Sequence, residues 1–121
     1  MADKKTLILG ATPDPGRYAY LAANRLVRYG HSIVNVGRKK GEVAGVEIER
    51  PEIIHHDIDT ITLYIGSHNL SPLYDYILET LPQRIIFNPG TENPELEKLA
   101  EQNNIEPLEA CTLVLLSTGQ Y

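Results

Sequence analysis

The chain contains no tryptophan and only one phenylalanine, one methionine and one cysteine in 121 residues. The single thiol, Cys111, excludes an internal disulfide and suits a reducing compartment. No run of about 18 apolar residues is present, so no membrane-spanning helix is expected and a membrane is not a partner. Met1-Ala2-Asp3-Lys4-Lys5 leads into an apolar run too short for a signal peptide, so a cytoplasmic location is expected. Positive charge is scarce: 11 Lys and Arg stand against 16 Asp and Glu, a net charge of −5. That balance does not suit nucleic acid. The catalytic signatures G-x-S-x-G and H-E-x-x-H are missing, and no two carboxylates are spaced to act together. His55 and His56 are adjacent, so in an extended segment they point opposite ways, and no third ligand follows Asp57 at a metal-site spacing. These absences favour a binding module without metal over an enzyme.

What is present is ordinary for one globular domain: 42% apolar and 22% charged residues, with no linker, repeat or low-complexity tract. Strand-like runs fall at Thr6–Leu9, Ser32–Val36, Val46–Ile48, Thr60–Ile65, Arg84–Phe87 and Glu106–Leu108. Helical periodicity fills three of the gaps. Arg17–Tyr29 places Tyr18, Leu21, Ala22, Leu26 and Tyr29 at helical spacing, with Gly30 as its terminating glycine. The others run over Pro72–Leu81 and Pro94–Asn103. Asp14-Pro15, Ser71-Pro72 and Asn93-Pro94 each read as an N-cap followed by a proline that starts a helix.

Strands alternating with helices imply βαβ units. The expectation is an α/β, Rossmann-like doubly wound parallel sheet, a single three-layer αβα domain over residues 1–121. The first five strands take the order 3-2-1-4-5, with the sixth at the edge. Ligands in such sheets sit beyond the carboxyl ends of the strands at the point where the order reverses. Gly10–Arg17, Gly37–Lys40, Gly66–Asn69 and Asn88–Asn93 therefore form the expected crevice.

The first of these segments carries the most chemistry. Leu7-Ile8-Leu9-Gly10-Ala11-Thr12-Pro13-Asp14-Pro15-Gly16-Arg17 is an apolar strand running through a Gly/Pro turn into a helix. Such a turn directs unpaired N–H groups and the positive end of a helix dipole at an anion. The anion is expected on the amides around Ala11–Pro13 and on Arg17, whose cation is out of place in a first helical turn without a ligand. Asp14 is expected to take amides as a cap, and Tyr18 to reach the ligand. The dinucleotide pattern G-x-G-x-x-G fails, since Thr12 and Pro15 replace two of its glycines. The Walker pattern fails too: Gly10 is one residue too far from Gly16, and Arg17-Tyr18 replaces Lys-Ser/Thr. The second strand ends in Gly37-Arg38-Lys39-Lys40 where a NAD site would place an acid. These cations suit an extra phosphate, either the 2′-phosphate of NADP or the 3′-phosphate of coenzyme A.

Gly10-Ala11-Thr12-Pro13-Asp14-Pro15-Gly16-Arg17 resembles the first loop of the small single-domain CoA-binding proteins, which are similar to the CoA-binding domain of the succinyl-CoA synthetase α-subunit. The likeness covers nearly the whole chain. Tyr29-Gly30-His31 is similar to the family's helix end, Lys40–Gly45 to its K-x-G-E-x-x-G segment, Asn88-Pro89-Gly90 with Asn93 to its Q-x-G…N loop, and Cys111 to its C-terminal cysteine. Three loops depart from the pattern: Val36-Gly37 replaces Asn-Pro, Gly66-Ser67-His68-Asn69 replaces an arginine-containing loop, and Asn88 replaces Gln. The resemblance implies coenzyme A or an acyl-CoA as ligand. The expected contacts are Gly10, Ala11, Thr12, Pro13, Asp14, Gly16, Arg17, Tyr18, Gly37, Arg38, Lys39, Gly66, Ser67, Asn88, Pro89 and Gly90. An NADP-binding oxidoreductase-like protein and a Rossmann interaction module with a decayed site remain the alternatives. A small nucleotide cofactor is the expected partner. The tyrosines allow a homodimer without fixing an interface.

Overall fold

A computed structural model describes residues 3–121; Met1 and Ala2, part of the segment read for a targeting signal, lie outside them. Strands β1 (Thr6–Leu9), β2 (Ile33–Val36), β3 (Glu42–Val43), β4 (Val46–Glu49), β5 (Thr60–Leu63), β6 (Arg84–Phe87) and β7 (Glu106–Glu109) form one sheet. Its order is β3-β4-β2-β1-β5-β6-β7. Every neighbouring pair is parallel except β3 with β4. The six expected strands thus lie in the expected order, which reverses between β1 and β5.

The strand missing from the sequence reading is β3. It pairs Val43 with Val46 through a two-residue turn in which Ala44 (φ 53°) and Gly45 (φ 80°) are both left-handed. Two positive φ angles define a type I′ hairpin turn, whose usual signal is Asn-Gly or Asp-Gly. Alanine at the first position hides it.

Every residue of β1, β2 and β5 is buried, because helices cover both faces of the sheet. Helices α1 (Tyr18–Arg28) and α4 (Thr112–Ser117) cover one face, where Ala19, Ala23, Leu26 and Leu116 pack with Ile8 and Ile48. Helices α2 (Tyr74–Thr80) and α3 (Pro94–Gln102) cover the other, where Tyr76, Ile77, Leu96 and Ala100 pack with Leu7, Leu63 and Phe87. The result is the three-layer domain expected.

Local details differ. The buried stripe of α1 is Ala19, Ala22, Ala23 and Leu26, while Tyr18, Leu21 and Tyr29 lie outward. Small side chains let the helix approach the sheet, and the larger ones are pushed to its rim. Gly30 ends α1 as expected: its φ is 89°, its N–H donates to Val27 O, and His31 N–H donates to Leu26 O, a Schellman closure. Only one of the three expected caps forms. Asn93 Oδ1 accepts from Leu96 N–H at 3.0 Å. Ser71 caps nothing and instead opens a 3-10 turn, Ser71–Leu73, that precedes α2. Asp14 lies before the helix: Arg17 holds the N-cap position, without a side-chain cap bond. Leu81, the expected last residue of the second helix, is exposed and lies beyond the helix end with φ 51°.

Helix α4 was not expected. Thr112-Leu113-Val114-Leu115-Leu116-Ser117 is short and opens without a side-chain cap, since Cys111 at the N-cap makes none. Its start is held from outside. Thr112 N–H donates to Asn88 Oδ1 at 2.9 Å, and its hydroxyl bonds that of Thr62 at 2.8 Å.

Candidate functional site

The carboxyl ends of β1, β2, β5 and β6 carry the four expected loops to one edge of the sheet. The first loop is fixed on both sides. Its amides at Gly10 and Ala11 both donate to Val36 O, at 2.8 and 3.0 Å, which ties the loop to the end of β2. An ideal Cβ on Gly10 would lie 2.8 Å from Tyr64 O, and the φ of Gly10 is +102°. Only glycine satisfies both demands, so Gly10 packs directly against the segment after β5.

Of the amides expected to be free around Ala11–Pro13, only that of Thr12 is. Ala11 N–H is consumed by β2, correcting its place among the anion donors. Asp14 Oδ1 accepts from Gly16 N–H at 2.9 Å, and Asp14 N–H donates to Thr12 Oγ1 at 3.2 Å. Arg17 N–H donates to Asp14 O at 3.2 Å. Pro13 and Pro15 have no N–H. Thr12 N–H and the first two amides of α1, at Tyr18 and Ala19, are left without a protein partner among the described residues. Asp14 thus withdraws one amide from an incoming anion by closing an Asx turn, although it caps no helix.

Gly37 shows why a glycine follows β2. A Cβ there would come 2.3 Å from Ala11 O. The next contact in the same direction is Gly41, whose Cβ would meet Pro13 at 3.1 Å. Residues 37–41 are folded back onto the first loop, and the β3–β4 hairpin follows them. Between residues 37–41 and β4 lies a cleft of about 290 Å³ lined by Gly37, Arg38, Lys39, Lys40 and Arg50, with Glu47 and Ile48 from β4. Arg38 and Lys39, predicted from sequence, are brought to it. They are exposed and make no ion pair among the described residues. Arg50 was missed, because it follows a strand that the sequence reading ended at Ile48.

On the other side of the first loop a second cleft, of about 250 Å³, is lined by Tyr18, Tyr64, Asn88, Pro89, Cys111 and Leu113. Tyr18 and Pro89, both predicted, sit on it. Tyr64, Cys111 and Leu113 were missed as site residues, since two of them arrive with the unexpected α4. Burial pushes the Tyr64 phenol up to about 12, so it stays neutral across the physiological range.

Asn88 is also predicted and also lines this cleft, yet its polar atoms turn inward. Its Nδ2 donates to Thr62 Oγ1 at 2.7 Å and to Leu63 O at 2.9 Å, and its Oδ1 accepts from Thr112. It positions α4 over the sheet edge and presents no free amide. Gly90 completes a tight turn at φ 92°, with its N–H on Glu92 Oε1, and lies outside both clefts. Gly66 and Ser67 stand in the loop after β5, where Ser67 O accepts a long 3.4 Å bond from Asn93 Nδ2. They too line neither cleft. Of the two histidines read against a metal, His55 bonds Glu49 at 2.9 Å and His56 is exposed.

The first loop thus lies between a cleft rich in cations and an apolar one. The model of a CoA-binding domain matches residues 4–117. The chain belongs to that family. A crystal structure of an uncharacterized protein is similar to this CoA-binding domain over the whole of both chains, with 55% identity and a TM-score of 0.97. A Thermus thermophilus protein is similar over 98% of this chain and 91% of its own, with 21% identity and a TM-score of 0.85. A hypothetical protein from Pyrococcus horikoshii OT3 is similar over 96% of this chain and 82% of its own, with 21% identity and a TM-score of 0.82. The last two share the fold. No curated relative matches the chain.

Proposed function

We propose that this protein binds coenzyme A, or an acyl-CoA, through its phosphorylated ADP moiety and performs no chemistry on it. The observation that carries the reading is the cleft lined by Arg38, Lys39, Lys40 and Arg50, folded against the first loop. In a chain of net charge −5, four cations against one carboxylate, Glu47, gathered beyond β2 and β4, leave a local positive excess that attracts an anion. The diphosphate rests on Thr12 N–H and the start of α1, beside Arg17. The 3′-phosphate meets the side chains that follow β2. Family membership supports coenzyme A over other nucleotides. The absence of a nucleophile–base set in the sequence supports binding without catalysis.

Calorimetry with CoA, dephospho-CoA and NADP tests it. CoA is expected to bind more tightly than dephospho-CoA, and Arg38→Ala with Lys39→Ala to narrow the difference by tenfold or more. Equal binding of the two removes the role given to the cations. Tighter binding of NADP than of CoA favours the oxidoreductase-like reading. Mixing with NADPH gives a second check, because a change in nicotinamide fluorescence reports its capture.

A further inference from the structure

The second cleft offers no cationic side chain to a phosphate. Its walls are two tyrosine rings, a proline, a leucine, the Cys111 thiol and an asparagine whose amide is already bonded. No lysine, arginine or histidine lines it. The Tyr64 phenol carries no charge at physiological pH, and burial moves its ionisation further off. The cleft also adjoins the anion loop through two residues: Tyr18 directly follows the loop, and Tyr64 backs onto Gly10. A pantetheine arm that left a diphosphate on the loop, turned away from the cationic cleft and folded back over Tyr18 would bring its sulfur to this space.

We propose that the cleft receives the thioester end of an acyl-CoA and selects short, uncharged aliphatic acyl groups. This rests on the CoA reading above. A cleft of about 250 Å³ has room for a short acyl chain beside the sulfur and not for a long one. A dicarboxylic acyl group would bring a carboxylate into a site with no cation to meet it, and burying an unpaired charge is costly. The acyl selectivity is therefore set against succinyl-type thioesters.

The test is a calorimetric series of CoA, acetyl-, butyryl-, octanoyl- and succinyl-CoA. Affinity is expected to rise about fourfold per buried methylene through butyryl, the gain for transferring one methylene out of water. It should then level or fall at octanoyl, with succinyl-CoA at least tenfold weaker than butyryl-CoA. Leu113→Trp, checked for an intact melting transition, is expected to erase the butyryl gain. Cys111 supplies a measurement on the unaltered chain: butyryl-CoA should slow its alkylation by iodoacetamide more than CoA does. A flat series with CoA still bound, or succinyl-CoA equal to butyryl-CoA, overturns this inference alone. Failure of every thioester and of CoA to bind overturns both readings.

Discussion

Gly37 approaches Ala11 so closely that a methyl group on it would fall 2.3 Å from the Ala11 carbonyl oxygen. That contact locks the basic segment after β2 onto the first loop. Gly37→Ala must move one of them. Overpacking of this kind costs about 1–3 kcal/mol. The variant is expected to melt at lower temperature and to lose CoA affinity by more than tenfold. A melting curve and a calorimetric titration check both, and wild-type affinity would show that the contact does not set the site.

Asn88 holds α4 to the sheet with three hydrogen bonds from a side chain that is 3% exposed. Asn88→Ala leaves Thr112 N–H and Thr62 Oγ1 short of partners, at about 1–3 kcal/mol for a buried group left unpaired. Chemical denaturation is expected to show that loss. Because Cys111 sits at the start of α4, its alkylation by iodoacetamide should quicken in the same variant.

The two Ser/Asn-Pro pairs separate a real cap from an apparent one. Asn93→Ala is expected to cost about 1 kcal/mol, the usual loss for an N-cap, with more from its 2.9 Å bond to the Tyr74 hydroxyl. Ser71 makes no cap bond, so Ser71→Ala is expected to be close to neutral. Equal destabilisation of the two would contradict the geometry.

His31 links stability to pH. Burial lowers its pKa from 6.5, the largest influence, although Asp3 opposes this. Its Nδ1 accepts from Lys4 N–H at 3.0 Å, an arrangement that requires the neutral ring. The folded state therefore binds its proton more weakly than the unfolded state. The resulting stability is present above 6.5 and is lost as pH falls from there through the lower folded pKa. The gap between wild type and His31→Asn, whose side-chain oxygen can still accept, is expected to shift against the wild type between pH 7 and 5. Parallel melting curves across that range would refute the assignment.

Local chemistry was enough for much of the architecture. Runs such as Leu7-Ile8-Leu9 and Ile85-Ile86-Phe87 announce strands buried on both faces, and Gly30 and Asn93 announce helix ends. Their alternation leaves few topologies, and the strand order followed. The loops of the crevice were legible for the same reason, since each follows a parallel strand.

Long-range pairing settled the rest. Whether Ala11 N–H is free depends on Val36 O, and whether Asn88 can greet a ligand depends on Thr62 and Thr112, distant in the chain. The β3 hairpin and α4 carry weak local signals and persist because packing holds them. Arg50 and Leu113 reach the edge only through those two elements. Periodicity and turn chemistry act over a few residues and so are written in the order of amino acids. Which donors remain unpaired, and which side chains share a cleft, follow from contacts that exist only after the chain has closed on itself.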